Sequence, residues 1–269
     1  MTKVLIPMAG AGKRFTDAGY TESKPVIKTT DIRTGKKIPM VVCATKDLPF
    51  VKNDGANVIY IDRSFHKENG VEKEIRNYFP KCTFVTSDKL TEGQACSCLL
   101  AEKYINNDEP LLIAGCDNGM IFNTNALESL TNNCDVIAFT YTNNECVLEN
   151  PNAYGWYGCD EKSKINNISI KKAISNNPLN DHAVVATFWF KKGQYFVEAA
   201  KKMIEANDRI NNEFYVDEVI KYIIEMGYDA RIFDIDRYIG WGTPKDYENY
   251  ENTIKYWKEF YNSKYYIGE

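Results

Sequence analysis

Met1-Thr2-Lys3-Val4-Leu5-Ile6-Pro7-Met8-Ala9-Gly10-Ala11-Gly12-Lys13-Arg14-Phe15, with Lys24-Pro25 a little further on, is the stretch that decides the fold. A short apolar run over 4–8 enters a loop with glycines at 10 and 12, and two cations follow at once. This layout reads as a strand feeding a phosphate cradle. Small residues let the backbone approach an anion, and free N–H groups with Lys13 and Arg14 neutralise a polyphosphate. Two familiar glycine loops do not fit. A P-loop needs Gly-x4-Gly-Lys-Ser/Thr, whereas Phe15 follows Arg14 here. A dinucleotide loop needs a third glycine where Phe15 stands and a carboxylate roughly 20 residues later.

Working outward, apolar runs at 57–62, 83–86, 111–115 and 136–141 read as strands, and 39–48, 64–79, 93–105 and 124–130 carry helical spacing. The β-α-β-α order predicts an α/β fold: a Rossmann-like, mostly parallel central sheet with helices on both faces and ligands at the carboxyl ends of the strands. Beyond about residue 150 the texture changes. Segments 156–160, 164–170 and 183–190 alternate as a small antiparallel patch; helices at 194–207 and 215–226 and a strand at 230–234 follow. Thr243 is placed to cap the last helix, with Pro244 in its first turn and Asp246 closing a capping box. With no linker, repeat or low-complexity segment, 1–269 is expected to be a single domain, 1–150 forming a nucleotide-binding half and 151–269 an acceptor-binding half.

Composition sets bounds. Hydrophobic content of 44% and charged content of 26% over 269 residues are ordinary for a globular protein. The net charge of −4 and pI near 5.5, with no long basic block, argue against a nucleic-acid partner. No segment approaches the ~20 apolar residues of a membrane span, so neither a span nor a signal peptide is expected, and the protein reads as cytoplasmic. Its 8 cysteines are scattered without a Cys-x2-Cys pair, and only His66 and His182 accompany them. Reduced core thiols are expected rather than a zinc site.

Six blocks in order resemble the sugar nucleotidyltransferases, the NDP-sugar pyrophosphorylase-like NTP transferases with a GT-A-like fold. They are the first loop with Lys24-Pro25, Thr91-Glu92-Gly93-Gln94-Ala95, Leu111 to Asn118, Pro151-Asn152-Ala153-Tyr154-Gly155, Asn212 to Asp217, and Trp241-Gly242-Thr243-Pro244. The resemblance implies nucleotidyl transfer, in which a phosphorylated acceptor attacks the α-phosphorus of a nucleoside triphosphate and expels pyrophosphate. It implies catalytic roles for Arg14 and Lys24. Met8, Ala9, Gly10, Ala11, Gly12, Lys13, Gly93, Gln94 and Cys116 would bind the nucleotide, with Gln94 facing the base. Asp117 would bind Mg²⁺. Tyr154, Gly155, Lys172 and Glu213 would line the acceptor pocket.

The chain departs from the family pattern in its acceptor half. Lys171-Lys172 stands where Glu-Lys is frequent, Ala186 where a glycine is expected, and Gly240 where a second metal aspartate commonly sits. Asp236, or Asp234 on the same strand face, is the nearest replacement ligand. Strand alternation points Lys172 at the acceptor phosphate and Lys171 towards solvent. Expected substrates are therefore a nucleoside triphosphate, with CTP slightly ahead of other pyrimidines, and a phosphorylated sugar or small metabolite for surface-polysaccharide assembly. No membrane partner is expected, and a homo-oligomer stays open. The rival is a non-catalytic nucleotide-binding or regulatory protein that kept the loop and lost a metal ligand.

Overall fold

The structure is a computed structural model, and it describes residues 1–262. In chain order the strands are β1 (Lys3–Pro7), β2 (Lys28–Thr30), β3 (Lys37–Pro39), β4 (Val58–Arg63), β5 (Thr83–Ser87), β6 (Leu111–Ile113), β7 (Asn118–Ile121), β8 (Val136–Tyr141), β9 (Gly155–Cys159), β10 (Ile165–Ile170), β11 (His182–Phe190), β12 (Ala230–Asp234) and β13 (Arg237–Gly240). A 9-stranded sheet follows the path β10-β9-β11-β6-β1-β4-β5, with β8 against β11 and β12 beyond it. Pairs β1–β4, β1–β6, β4–β5 and β8–β12 are parallel. Strand β11 runs against β6, β8 and β9, and β10 runs against β9. Only β10 and β11 oppose the common direction. The sheet is thus mostly parallel with an antiparallel patch, as the sequence pattern predicts.

Burial explains why β1 is a continuous apolar run rather than an alternating one. Val4, Ile6 and Met8 enter one core with Val41 and Ala44 of the helix Met40–Asp47 and Ile75 of Val71–Arg76. Leu5 and Ala9 enter the opposite core with Ala95, with Phe196 and Met203 of the helix Gly193–Glu205, and with Ile220 and Ile223 of Val216–Glu225. Both faces of the sheet are covered, so every residue in the middle of β1 is core.

Local sequence corrects several expected elements. The helix expected over 64–79 is two, Ser64–Glu68 and Val71–Arg76, because Gly70 turns the chain with a φ of 74°. The helix expected over 93–105 likewise divides into Gln94–Leu99 and Glu102–Ile105. The short pairs β2–β3 and β7–β13 were too brief to show a period. Ala186 holds a φ of 59°, and the β11–β8 register shifts between Val184 and Phe188. This bulge is the physical reason a glycine suits the position. At the last helix, Pro244–Tyr261, Thr243 Oγ1 accepts the Asp246 N–H at 3.1 Å and donates to its carboxylate at 2.7 Å, the expected cap. Cys43, Cys82, Cys98 and Cys134 are buried free thiols, while Cys96, Cys116, Cys146 and Cys159 are half-buried and also unbridged.

Candidate active site at the carboxyl edge of the sheet

Parallel pairing of β1 with β6 matches Lys3, Val4 and Leu5 to Leu111, Leu112 and Ile113, so the loops leaving these strands emerge side by side. One is the 8–14 loop and the other ends in Cys116-Asp117. Met8 and Ala9 are buried as the loop leaves the sheet, its floor fixed by Met8 N–H donating to the Ile61 carbonyl at 2.8 Å. Gly10 and Ala11 are exposed. Among the described residues, the backbone N–H groups of Gly10, Ala11 and Gly12 have no acceptor, and Lys13 and Arg14 have no carboxylate partner. Gly12 is required twice over. Its φ is 64°, and a Cβ there would stand 3.1 Å from the Lys24 Cβ.

Lys24 opens the turn Lys24–Val26 and reaches across this loop. Its ammonium lies 2.6 Å from Asp117 Oδ2, 3.1 Å from the Gly242 carbonyl and 5.3 Å from the Phe15 ring centroid. Burial disfavours the ammonium, but Asp117 outweighs burial and the Lys24 pKa is raised. Trp241 N–H donates to the Asp117 carbonyl at 2.8 Å and thereby ties the Gly242 turn to the β6 loop. Residues far apart in sequence, namely Gly12, Arg14, Lys24, Asp117 and Gly242, thus converge. Cys116 beside them carries a thiol that burial and then Asp117 push up to about 12.

A second cluster forms around Gly93. Gly93 holds a φ of 123°, and a Cβ on it would meet the Phe214 backbone at 2.5 Å. Phe214 N–H donates to the Glu92 carbonyl at 2.8 Å, and Ala95 N–H donates to the Phe214 carbonyl at 3.0 Å. Gln94, half-buried, therefore starts its helix against the segment that holds Glu213. Glu213 is exposed and accepts the Tyr215 hydroxyl at 2.6 Å.

Beside these residues lies a cleft of about 1220 Å³ shared by Arg14, Tyr154, Lys171, Tyr238, Gly240 and Gly242. Gly155 is buried beneath it, next to Asp217, whose carboxyl burial raises to about 6. Tyr154 donates its hydroxyl to the Cys146 carbonyl at 3.2 Å.

Two expectations are corrected here. Lys171, with a φ of 57°, breaks the strand alternation and turns inward: its ammonium donates to the Ala153 carbonyl and lies 5.4 Å from the Tyr215 ring. Lys172 is exposed instead, its carbonyl accepting the Ser169 hydroxyl at 2.8 Å. The antiparallel β13–β7 register is the second correction. It sets Gly240 beside Asn118 and Arg237 beside Ile121, so Asp236 falls beyond the far end of the pair. At about 3.4 Å per residue, five steps set Asp236 roughly 17 Å along the strand from Asp117, too far for the two carboxylates to hold one metal ion. Asp234 is committed elsewhere, accepting Thr140 at 2.7 Å and meeting His182 Nδ1 at 2.9 Å. Among the described residues no three His, Cys, Asp or Glu side chains cluster as a metal site.

Sequence reasoning missed Tyr238. Its ring stacks on Tyr141 at 4.5 Å and 7°, and its hydroxyl would lie 3.2 Å from a Cβ on Gly240. No motif announced it, because its place depends on the β13–β7 register.

No family model matches the chain, and no curated protein matches it. Solved structures do. The nucleoside-diphosphate-sugar pyrophosphorylase from Vibrio cholerae RC9 aligns with a TM-score of 0.69 at 17% identity, over 93% of this chain and 99% of that one. This chain has a sugar nucleotidyltransferase fold. A UDP-glucose pyrophosphorylase complexed with UDP-glucose gives a TM-score of 0.67 at 20% identity, covering 96% and 99%. The inositol-1-phosphate CTP transferase from T. maritima gives 0.66 at 15%, covering 95% and 96%. The nucleotidyltransferase fold thus extends across both halves of the chain. No helix among the described residues is long and apolar enough to cross a membrane.

Proposed function

We propose that this chain is a Mg²⁺-dependent nucleotidyltransferase that joins a nucleoside triphosphate to a phosphorylated sugar or small metabolite and releases pyrophosphate. The observation that carries this reading is the Lys24–Asp117 pair at 2.6 Å, set between an unpaired phosphate loop and a large cleft. The 1–150 half would hold the nucleotide and the 151–269 half the acceptor. A pyrimidine triphosphate, CTP first, is the preferred donor, in the cytoplasm and in service of surface polysaccharide.

In the reaction an acceptor phosphate oxygen attacks the α-phosphorus, the new P–O bond forms, and the bond to the bridging oxygen breaks with its electron pair leaving on pyrophosphate. The Gly10–Gly12 N–H groups and Arg14 bind the triphosphate, and Gln94 faces the base. Lys24 moves from Asp117 onto phosphate oxygens and offsets the charge that grows there. Asp117 fits Mg²⁺, since its carboxylate is one-third exposed and Mg²⁺ needs few protein ligands when phosphates complete its shell. When bound, the ion would neutralise phosphate charge. Tyr154 and Lys171 orient the acceptor.

Four nucleoside triphosphates screened against phosphorylated metabolites, scored by Mg²⁺-dependent pyrophosphate release, test the reading. If no acceptor in the panel gives Mg²⁺-dependent release, the reading is refuted. Arg14→Ala should abolish most triphosphate affinity, because the guanidinium fork is matched to phosphate oxygens; unchanged calorimetric affinity removes the loop assignment. Gly240 and the lack of a three-ligand cluster among the described residues favour one second reading, a nucleotide-binding protein without turnover.

A further inference from the structure

The charge of the acceptor cleft runs against that of the chain. The protein is acidic overall, at −4, yet among the described residues the cations Arg14, Lys171, Arg237 and Lys258 line the cleft with the single carboxylate of Asp246. That carboxylate is engaged, since it accepts the Thr243 hydroxyl at 2.7 Å. Lys171 has Asp217 behind it, and Lys258 donates to the Gly35 carbonyl at 3.4 Å. Arg237 has no carboxylate partner among the described residues, and neither has Arg14.

Position makes Arg237 informative. It lies on β13, opposite Ile121, while Gly240 at the other end of the same strand lies opposite Asn118, next to Asp117. Three residue steps at roughly 3.4 Å put its backbone about 10 Å from the phosphate end of the cleft. The strand is held in place by Tyr238 stacking on Tyr141 at 4.5 Å. A hydroxyl-rich neutral sugar calls for acceptors in its pocket, and free carboxylates are the strongest of these. This cleft supplies neutral hydroxyl and amide groups, the latter from Asn144, Asn150 and Asn249, but its charged side chains, Asp246 apart, are all donors.

From this we infer that the acceptor carries a second anionic group, a carboxylate or another phosphate, bound by Arg237 at the end of the cleft remote from the reacting phosphate. The inference rests on the nucleotidyl-transfer reading of the same site and narrows its acceptor class. The chemistry of the step is unaltered: the phosphate at one end attacks, and the second anion only anchors the molecule.

Matched compounds differing in one charge test it. Glucose 1-phosphate is compared with glucuronic acid 1-phosphate, and glycerol 3-phosphate with 3-phosphoglycerate, by pyrophosphate release and, without triphosphate, by calorimetry. The more anionic member of a pair should win by roughly 10- to 100-fold in kcat/KM or Kd, as a charge-assisted hydrogen bond provides. The preference should shrink as salt is raised. Arg237→Ala should raise KM for the more anionic member while kcat changes little, and Arg237→Lys should recover part of the loss. Turnover with equal or better use of the less charged members overturns the inference and leaves nucleotidyl transfer standing. A calorimetric preference without turnover of any compound supports the charge assignment and refutes the transfer reading. Neither turnover nor a charge preference refutes both.

Discussion

The Lys24 ammonium and the Asp117 carboxylate meet at 2.6 Å from positions 93 residues apart, one on the turn after the phosphate loop and the other after β6. Each is the other's charge partner, so under the proposed function a bound triphosphate would replace one ion pair with two new contacts. Lys24 is 17% exposed and Asp117 33%, so the pair is neither a surface bridge nor a sealed one.

Lys24→Met keeps the stem and deletes the charge. It should lower kcat and kcat/KM together by about 10²–10³, the usual cost of losing one contact to developing charge. Because its folded pKa is raised, the ammonium contributes stability below the ordinary lysine value, and that contribution disappears as pH rises through the folded value. Activity dependent on Lys24 should therefore not decline between neutral pH and mildly alkaline pH. A pH–rate profile of wild type and variant checks both points.

Asp117→Asn should remove Mg²⁺-dependent pyrophosphate release and leave a folded protein. The amide still occupies the space beside Lys24 but supplies no charge to a cation. Mn²⁺ titration in the presence of triphosphate, followed by electron paramagnetic resonance, should show weakened binding in the variant. Asp236→Asn, roughly one strand length away, should match wild type in the same titration.

Gly240→Asp should not restore a second metal ligand. A Cβ there would stand 3.0 Å from the Tyr238 ring, which is held by its stack on Tyr141. We expect displaced acceptor binding, a raised acceptor KM, and no additional Mn²⁺ per protein. An added metal equivalent with improved turnover would contradict this account.

Asp62 is fully buried on β4, and burial raises its carboxyl to about 6. An acid held above its unfolded value keeps its proton longer when folded, so it favours folding at low pH. That advantage is lost as pH rises through the window from about 4 to about 6. Asp62→Asn should raise the melting temperature by a few degrees at pH 8, and the gain should vanish near pH 4. Thermal scans across that range decide it.

How much of this was written in the sequence depends on the range of the interaction. β1, β4, β6 and β8 are runs whose burial on both faces leaves no ambiguity, and Lys24 and Asp117 stand out in the sequence because one follows the loop after β1 and the other the end of β6. Lys171 and Lys172 were exchanged because alternation assumes an unbroken strand, and a left-handed residue ends it. Tyr238 and the displacement of Asp236 follow from a four-residue pairing, β7 with β13, whose partners lie over a hundred residues apart. No local period encodes such a register.

Phe214 is bonded on one side to Glu92 and on the other to Ala95, and its backbone leaves no room for a side chain at residue 93. Gly93, which precedes the helix Gln94–Leu99, and Phe214, which precedes Tyr215, therefore share one seam. Under the proposed function, an engineer who alters 212–215 to admit a new acceptor would also shift the frame that holds Gln94 towards the base. Donor and acceptor preferences would change as a linked trait, and libraries that vary both segments at once should outperform those that vary either alone.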